Sequence, residues 1–281
     1  MCASRSKSSH SGPNEKAVSA QATQETAYER HGSGPPLALV HGLGLNRAMW
    51  QWQLPALVPH FDVVTYDLLG HGESGHPAGV ADLTMFSEQL LRLMDRCGIE
   101  HAAVAGFSLG GMIVRRFALD HPDRLSAIAI LHSAHDRSPG ERAAILKRVR
   151  QVEEAGPSST AEAALDRWFT AGFRAENSAM MALIREWIMR NDAAIYPAIY
   201  RVLAEGDAEI ARDIEQISVP TLVMTGEDDF GNSVEMATKM AARIADARKV
   251  ILPGLRHMAL AESPRTFNEP LVAFLRSALS A

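Results

Sequence analysis

Residues 102–111 read Ala102-Ala103-Val104-Ala105-Gly106-Phe107-Ser108-Leu109-Gly110-Gly111, and the fold turns on this stretch. An apolar run ends at a glycine, a serine follows two positions on, and two more glycines open a second apolar run with helical texture. Continuous small and β-branched residues bounded by turn residues suit a strand buried on both faces of a parallel sheet. A serine held in a very tight strand-to-helix turn is forced into strained backbone, and the positions two before and two after it must lack side chains. Gly106 and Gly110 occupy those positions. Such a turn lifts the Ser108 hydroxyl above the sheet and aims a helix N-terminus at it. A bystander serine in a glycine-rich turn would carry the same letters, but without the flanking strand and helix.

Working outward, the same texture recurs. Runs at 36–40, 61–67 and 125–131, and again at 219–225 and 249–252, are apolar or β-branched and stop at turn residues. Between them, 84–97 and 109–121 have apolar residues near the helical period. Ser263-Pro264 predicts a last helix running to Leu279, with serine as cap and proline in the first turn. Alternating strands and helices imply βαβ units and a mostly parallel sheet. The alternation breaks from about Ser138 to Ile217, where no β-rich run occurs. We therefore expect an α/β core over 26–137 and 218–281, a helical lid over 138–217, and a flexible arm over 1–25, which is rich in Ser, Gln, Ala and Lys.

A serine hydroxyl is a weak nucleophile and needs a base and an orienting acid. On a sheet of this kind the acid and then the histidine follow the serine along the chain. Gly226-Glu227-Asp228-Asp229 lies just after one predicted strand and His257 just after the next. Ser108, Asp229 and His257 thus fall at the carboxyl edge of the sheet, where open α/β folds place their sites. His257 is the only histidine after His135. Asp229 has the spacing expected of the acid, with Asp228 and Asp136 as competitors. Backbone N–H groups of Leu109 and Leu43 are the candidate oxyanion donors, because glycines around Leu43 let that loop approach closely. His41 reads as a residue ordering its loop, His71 as part of a tight turn, and His121, His132 and His135 as packing or loop residues.

Taken together, His41-Gly42-Leu43-Gly44, Asp67-Leu68-Leu69-Gly70-His71-Gly72-Glu73-Ser74, the serine turn and His121-Pro122-Asp123-Arg124 resemble the α/β-hydrolase fold superfamily over about residues 26–281. In the insert, Arg167-Trp168-Phe169-Thr170 and Asp192-Ala193-Ala194-Ile195-Tyr196 resemble the lid of 3-oxoadipate enol-lactonases and related carboxylesterases. Members usually begin with two strands, whereas 18–30 here is too polar to show the first. The resemblance implies a serine hydrolase cleaving a small ester or lactone through an acyl-enzyme, with no cofactor. Trp168, Phe169 and Trp187 are the lid residues expected at the substrate. An arginine among Arg167, Arg174, Arg185, Arg190 and Arg201 could point inward and clamp a substrate carboxylate. Carbon–carbon bond hydrolases, which tend to carry Asn where Phe107 stands, cofactor-free haloperoxidases and slow-turnover ligand receptors are the alternatives.

Composition narrows the field further. The 281 residues are 47% hydrophobic and 22% charged, enough for a sizeable core. With 28 Lys and Arg against 33 Asp and Glu, the net charge of −5 is not the basic footprint of a nucleic-acid binder. Two cysteines, Cys2 and Cys97, cannot build a disulfide framework. No metal-ligand spacing such as H-E-x-x-H occurs. Without an apolar leader near Met1 or a run of about 18 apolar residues, we expect a cytoplasmic protein with no membrane segment.

Overall fold

The computed structural model describes residues 25–280, so the arm expected over 1–25 lies almost wholly outside the described residues. The apolar runs become β2 (Pro36–Val40), β3 (Asp62–Tyr66), β4 (Ala102–Phe107), β5 (Leu125–Leu131), β6 (Thr221–Gly226) and β7 (Ala247–Leu252). A further strand, β1 (Tyr28–Gly32), precedes them. The seven strands form one sheet in the order β1-β3-β2-β4-β5-β6-β7. Every pairing is parallel except that of β1 with β3. β1 escaped the sequence because it is an edge strand: Glu29 and Arg30 face solvent, and Arg30 instead pairs with Asp62 on β3. Polar and charged edges of this kind also discourage pairing with another chain.

Alternate residues of each buried strand feed opposite faces of the sheet. On β2, Ala38 and Val40 join a core with Leu90, Leu93 and Phe117, while Leu37 and Leu39 join one with Trp50, Phe267 and Leu271. The covering helices are α1 (Leu54–Leu57), α2 (Leu83–Arg96) and α3 (Leu109–Asp120) from the first half of the chain. The α2 N-terminus is capped by Asp82, whose Oδ1 accepts from the Met85 N–H at 2.7 Å.

Between β5 and β6, residues 139–216 contain only helices and turns: α4 (Pro139–Ala155), α5 (Ala161–Trp168), α6 (Ala171–Glu176), α7 (Ser178–Met189), α8 (Tyr196–Glu205) and α9 (Asp207–Ile210), followed by a short 3-10 turn. After β6 come α10 (Val234–Arg243), α11 (Ala259–Glu262) and α12 (Pro264–Leu279). Ser263 precedes α12 as predicted, but its hydroxyl bonds Thr266 Oγ1 at 2.8 Å and caps no backbone N–H. The helical segment is bound to the sheet edge through its backbone. Met258 N–H donates to Trp168 O at 2.9 Å, and Arg256 donates to Asp166 O and Phe169 O. Among the described residues no helix is long and apolar enough to cross a membrane.

α4 starts with a reciprocal cap in which Ser138 Oγ accepts from the Glu141 N–H and Glu141 Oε2 accepts from the Ser138 N–H at 2.7 Å. Ser138→Ala should lower stability by about 1 kcal/mol. Urea unfolding followed by circular dichroism measures it, and an unchanged midpoint would mean that solvent replaces the cap.

Candidate active site

Ser108 sits at φ 57°, ψ −112°, a conformation that L residues rarely adopt, between β4 and the first turn of α3. Its N–H donates to Leu131 O on the neighbouring strand at 2.8 Å, and its carbonyl accepts from the Gly111 N–H. The turn closes because its flanking glycines have no side chains. A Cβ at Gly106 would lie 2.2 Å from Gly110 O, and one at Gly110 would lie 2.2 Å from Val40 O on β2.

Loops after β6 and β7 bring Asp229 and His257 to the same edge. His257 Nδ1 is 2.7 Å from Asp229 Oδ2, and both side chains are buried. Burial alone would raise the Asp229 carboxyl, but the charge of His257 and hydrogen bonds from His132 and His257 outweigh it and hold Asp229 well below the usual carboxylate range. Its other oxygen, Oδ1, accepts from the N–H groups of Gly231 and Asn232 and from the Asn232 amide. An ionised carboxylate only accepts, so the Nδ1 atom of His257 carries a proton toward Asp229. Asp228 is half-buried, Asp136 is exposed, and neither pairs with His257.

The His41–Gly44 loop crosses directly over the serine turn. A Cβ on Gly42 would sit 3.0 Å from the Phe107 ring and 3.3 Å from Ser108 Cβ. Two buried histidines hold this loop. His41 Nδ1–H donates to Gly42 O at 2.8 Å while its Nε2 accepts from the Leu68 N–H, and His71 Nε2 accepts from the Gly44 N–H at 3.0 Å. Burial pushes His41 down to about 4 and His71 to about 3, so both are neutral and can accept. His71 thus does more than fill its turn.

Ser108, Asp229, His257, Leu43 and Trp168 line one narrow cavity of about 100 Å³. Trp168 leans on His257 with ring centroids 5.9 Å apart. Leu109 begins α3 beneath it and is fully buried. Two lid residues expected at the substrate are elsewhere. Phe169 points into the core and stacks on Phe173, and Trp187 packs against Trp52 outside the cavity. The period of a helix places an aromatic on a face but cannot say which face meets the serine. Tyr196, Tyr200 and Ile145 take the roof instead.

The arginines sort the same way. Arg174, Arg185, Arg190 and Arg201 turn outward onto Asp166, Glu162, Glu186 and Glu153 respectively. Arg167 faces the cavity, joined by Arg137 and Arg148, which the sequence did not single out. Arg148 Nε donates to Tyr200 Oη at 3.0 Å and Arg137 Nη1 to Leu203 O at 2.7 Å. Among the described residues none of these three has a carboxylate within 4 Å of its guanidinium. Burial lowers Arg137 and Arg167 from the ordinary arginine range, yet a guanidinium stays charged. The cavity therefore brings Ser108 and His257 together with three guanidinium groups that have no carboxylate within 4 Å.

His132 is the largest departure from the sequence reading. It does sit in the loop after β5 and pack on Phe267, but its Nδ1 is also 3.0 Å from Asp229 Oδ2, the same oxygen that His257 holds. His132, Asp229 and His257 offer nitrogen and oxygen atoms within 4.8 Å of one another. Their direct contacts are hydrogen-bond distances, and we describe them as a hydrogen-bonded cluster.

Comparison with known proteins gives the site its setting. The profile of the alpha/beta hydrolase fold family matches residues 35–157. A putative carbamate hydrolase RutD of Azorhizobium caulinodans is 30% identical over 251 residues, 88% of this chain and 93% of that protein. The (E)-2-((N-methylformamido)methylene)succinate hydrolase of Acinetobacter baylyi is 27% identical over 89% of this chain and 94% of its own length. The crystal structure of an enol-lactonase from Burkholderia xenovorans LB400 superposes with a TM-score of 0.84 at 30% identity, covering 89% of this chain and 96% of that one.

Since the serine turn closes only around two bare backbone positions, Gly106→Ala should destabilise by about 3 kcal/mol, the upper end of the usual overpacking cost, or prevent folding. Thermal unfolding of Gly106→Ala beside Gly140→Ala, where a Cβ meets nothing within 4 Å, separates crowding from the general effect of alanine. Equal melting temperatures would refute the packing argument.

Proposed function

Because this chain belongs to the α/β-hydrolase fold family, we propose that it is a serine hydrolase that cleaves a compact ester or lactone carrying a carboxylate. The observation that carries this reading is the shared cavity of Ser108 and the hydrogen-bonded His257–Asp229 pair. His257 Nε2 takes the Ser108 proton as Oγ attacks the carbonyl carbon. The carbonyl electron pair moves to oxygen, and N–H groups of Leu43 and Leu109 stabilise the oxyanion. Collapse of the tetrahedral adduct breaks the acyl–oxygen bond, and His257 returns the proton to the leaving oxygen. A water deprotonated by His257 then attacks the acyl-enzyme, and the reverse proton transfer restores Ser108. Asp229 stays ionised throughout and stabilises the transient imidazolium.

In this reading residues 138–217 form a lid whose apolar side chains exclude water, and Arg137, Arg148 and Arg167 receive the carboxylate. The relatives lend support through their names, one acting on a substituted succinate and one on an enol-lactone. A cavity of about 100 Å³ also suits a small acyl group better than a lipid chain.

Ser108→Ala should lower kcat on any accepted ester at least about a thousandfold, since only binding and oxyanion stabilisation remain. A serine-reactive phosphonate should label the parent and not the variant. Asp229→Asn should cost far more than Asp228→Asn or Asp136→Asn, and the opposite ranking would reassign the acid. For the substrate, Arg167→Met should raise KM roughly tenfold to a hundredfold on a carboxylated lactone, as a hydrogen bond to a charged group contributes about 1.5–3 kcal/mol. The same change should leave an uncharged lactone nearly untouched. A kcat/KM that climbs with acyl length beyond about ten carbons would instead indicate a lipid groove.

A further inference from the structure

We propose that His132 is a positioning residue of this site: alongside His257 it donates Nδ1–H to Asp229 Oδ2, divides the carboxylate's attraction between two imidazoles, and so sets the pH at which His257 begins to act as a base. The inference rests on the serine-hydrolase reading and extends it to a residue with no part in the mechanism above.

Several observations converge on His132. It directly follows β5, at φ 49°, a left-handed backbone unusual for a residue with a side chain. Its backbone N–H donates to Met224 O on β6 at 2.7 Å, which locks that conformation. The ring is fully buried and stacks on Phe267 with centroids 6.0 Å apart and planes at 19°. Nε2 has no hydrogen-bond partner among the described residues. A residue present only to fill space would be cheaper as a hydrocarbon, with neither an orphaned nitrogen nor a strained φ. The contact that offsets both costs is the 3.0 Å bond to Asp229. Burial lowers the proton affinity of His132, so it is a neutral donor at Nδ1.

The chemical consequence follows from one oxygen serving two imidazole donors, with the Asn232 amide further off at 3.4 Å. Oδ2 receives His257 at 2.7 Å and His132 at 3.0 Å. Each donor withdraws electron density from the carboxylate, so the His132 bond weakens the pull of Asp229 on the His257 proton. The ionisable groups facing this corner are Asp229 from the β6 loop, His257 from the β7 loop and His132 itself. Phe107 from β4 and Phe267 from α12 close the rest with hydrocarbon. Across the cavity stand Arg137, Arg148 and Arg167, which keep their charge at every relevant pH. Removing the His132 donor leaves Asp229 a stronger acceptor, stabilises the imidazolium of His257 and delays activation to higher pH.

The test uses the full chain, a p-nitrophenyl ester and the pH profile of kcat/KM. His132→Phe keeps a stacked ring and removes the donor. Its acidic limb should move up by about one pH unit, roughly a tenfold loss below the limb, with the deficit narrowing as pH rises. His132→Asn places an amide nitrogen where Nδ1 stood and tolerates left-handed backbone, so its limb should return close to the parent's. If the Phe variant does not fold, His132→Ala takes its place. An unmoved limb, a uniform loss at every pH, or an Asn variant that shifts as far as Phe would overturn the proposal. NMR titration of the isotope-labelled His257 ring reads the same shift without turnover. Should Ser108→Ala leave ester cleavage intact, the hydrolase reading fails, while the titration still decides whether His132 acts through Asp229.

Discussion

The whole site hangs on the close approach of three backbone segments around Ser108. Strand β4, the first turn of α3 and the end of β2 meet at separations that no Cβ could share, 2.2 Å at both Gly106 and Gly110. Two bare positions let the chain reverse from strand to helix within a residue. The reversal forces Ser108 into its positive φ, and that conformation carries the hydroxyl up to the cavity. Interior packing at native density leaves no slack to absorb a methyl group here.

A second constraint joins the remaining strands. Asp229 lies at the end of β6, His257 after β7 and His132 after β5, three neighbours in the sheet. Their parallel register delivers the strand ends to one edge, so residues distant in sequence come within hydrogen-bond range. Asp229 can be buried and ionised because Oδ1 takes backbone and amide donors while Oδ2 takes two imidazoles and, at 3.4 Å, the Asn232 amide. A buried carboxylate with fewer partners would shed its charge.

The helical segment supplies what the sheet lacks, a roof and a field. Arginines on its outer surface are neutralised by neighbouring carboxylates and do little more than keep the surface wet. Those turned inward have no carboxylate within reach, in a narrow cavity where charge is weakly screened. Buried positive charge without a partner is costly unless an anion is supplied to it.

Much of this was legible in the residues alone. Apolar runs bounded by turn residues marked six of the seven strands: five are buried and have no polar side to blur them, and the edge strand β7 still ends in the apolar Val250-Ile251-Leu252. The serine turn declared itself because its geometry admits only glycine at fixed offsets. The chain order expected on such a sheet pointed to Asp229 and His257, which the structure places in hydrogen-bond contact. β1 stayed hidden because Glu29, Arg30 and His31 leave it no apolar run, whereas β7 at the opposite edge keeps one in Val250-Ile251-Leu252. Which aromatics and arginines face the cavity, and that His132 shares an oxygen with His257, only the tertiary structure decided. Sequence periodicity reports which residues share a face, a local property of each helix or strand. Which faces meet depends on the register and packing of segments more than a hundred residues apart, as at Ser108 and Asp229, which line one cavity, and no local pattern encodes that.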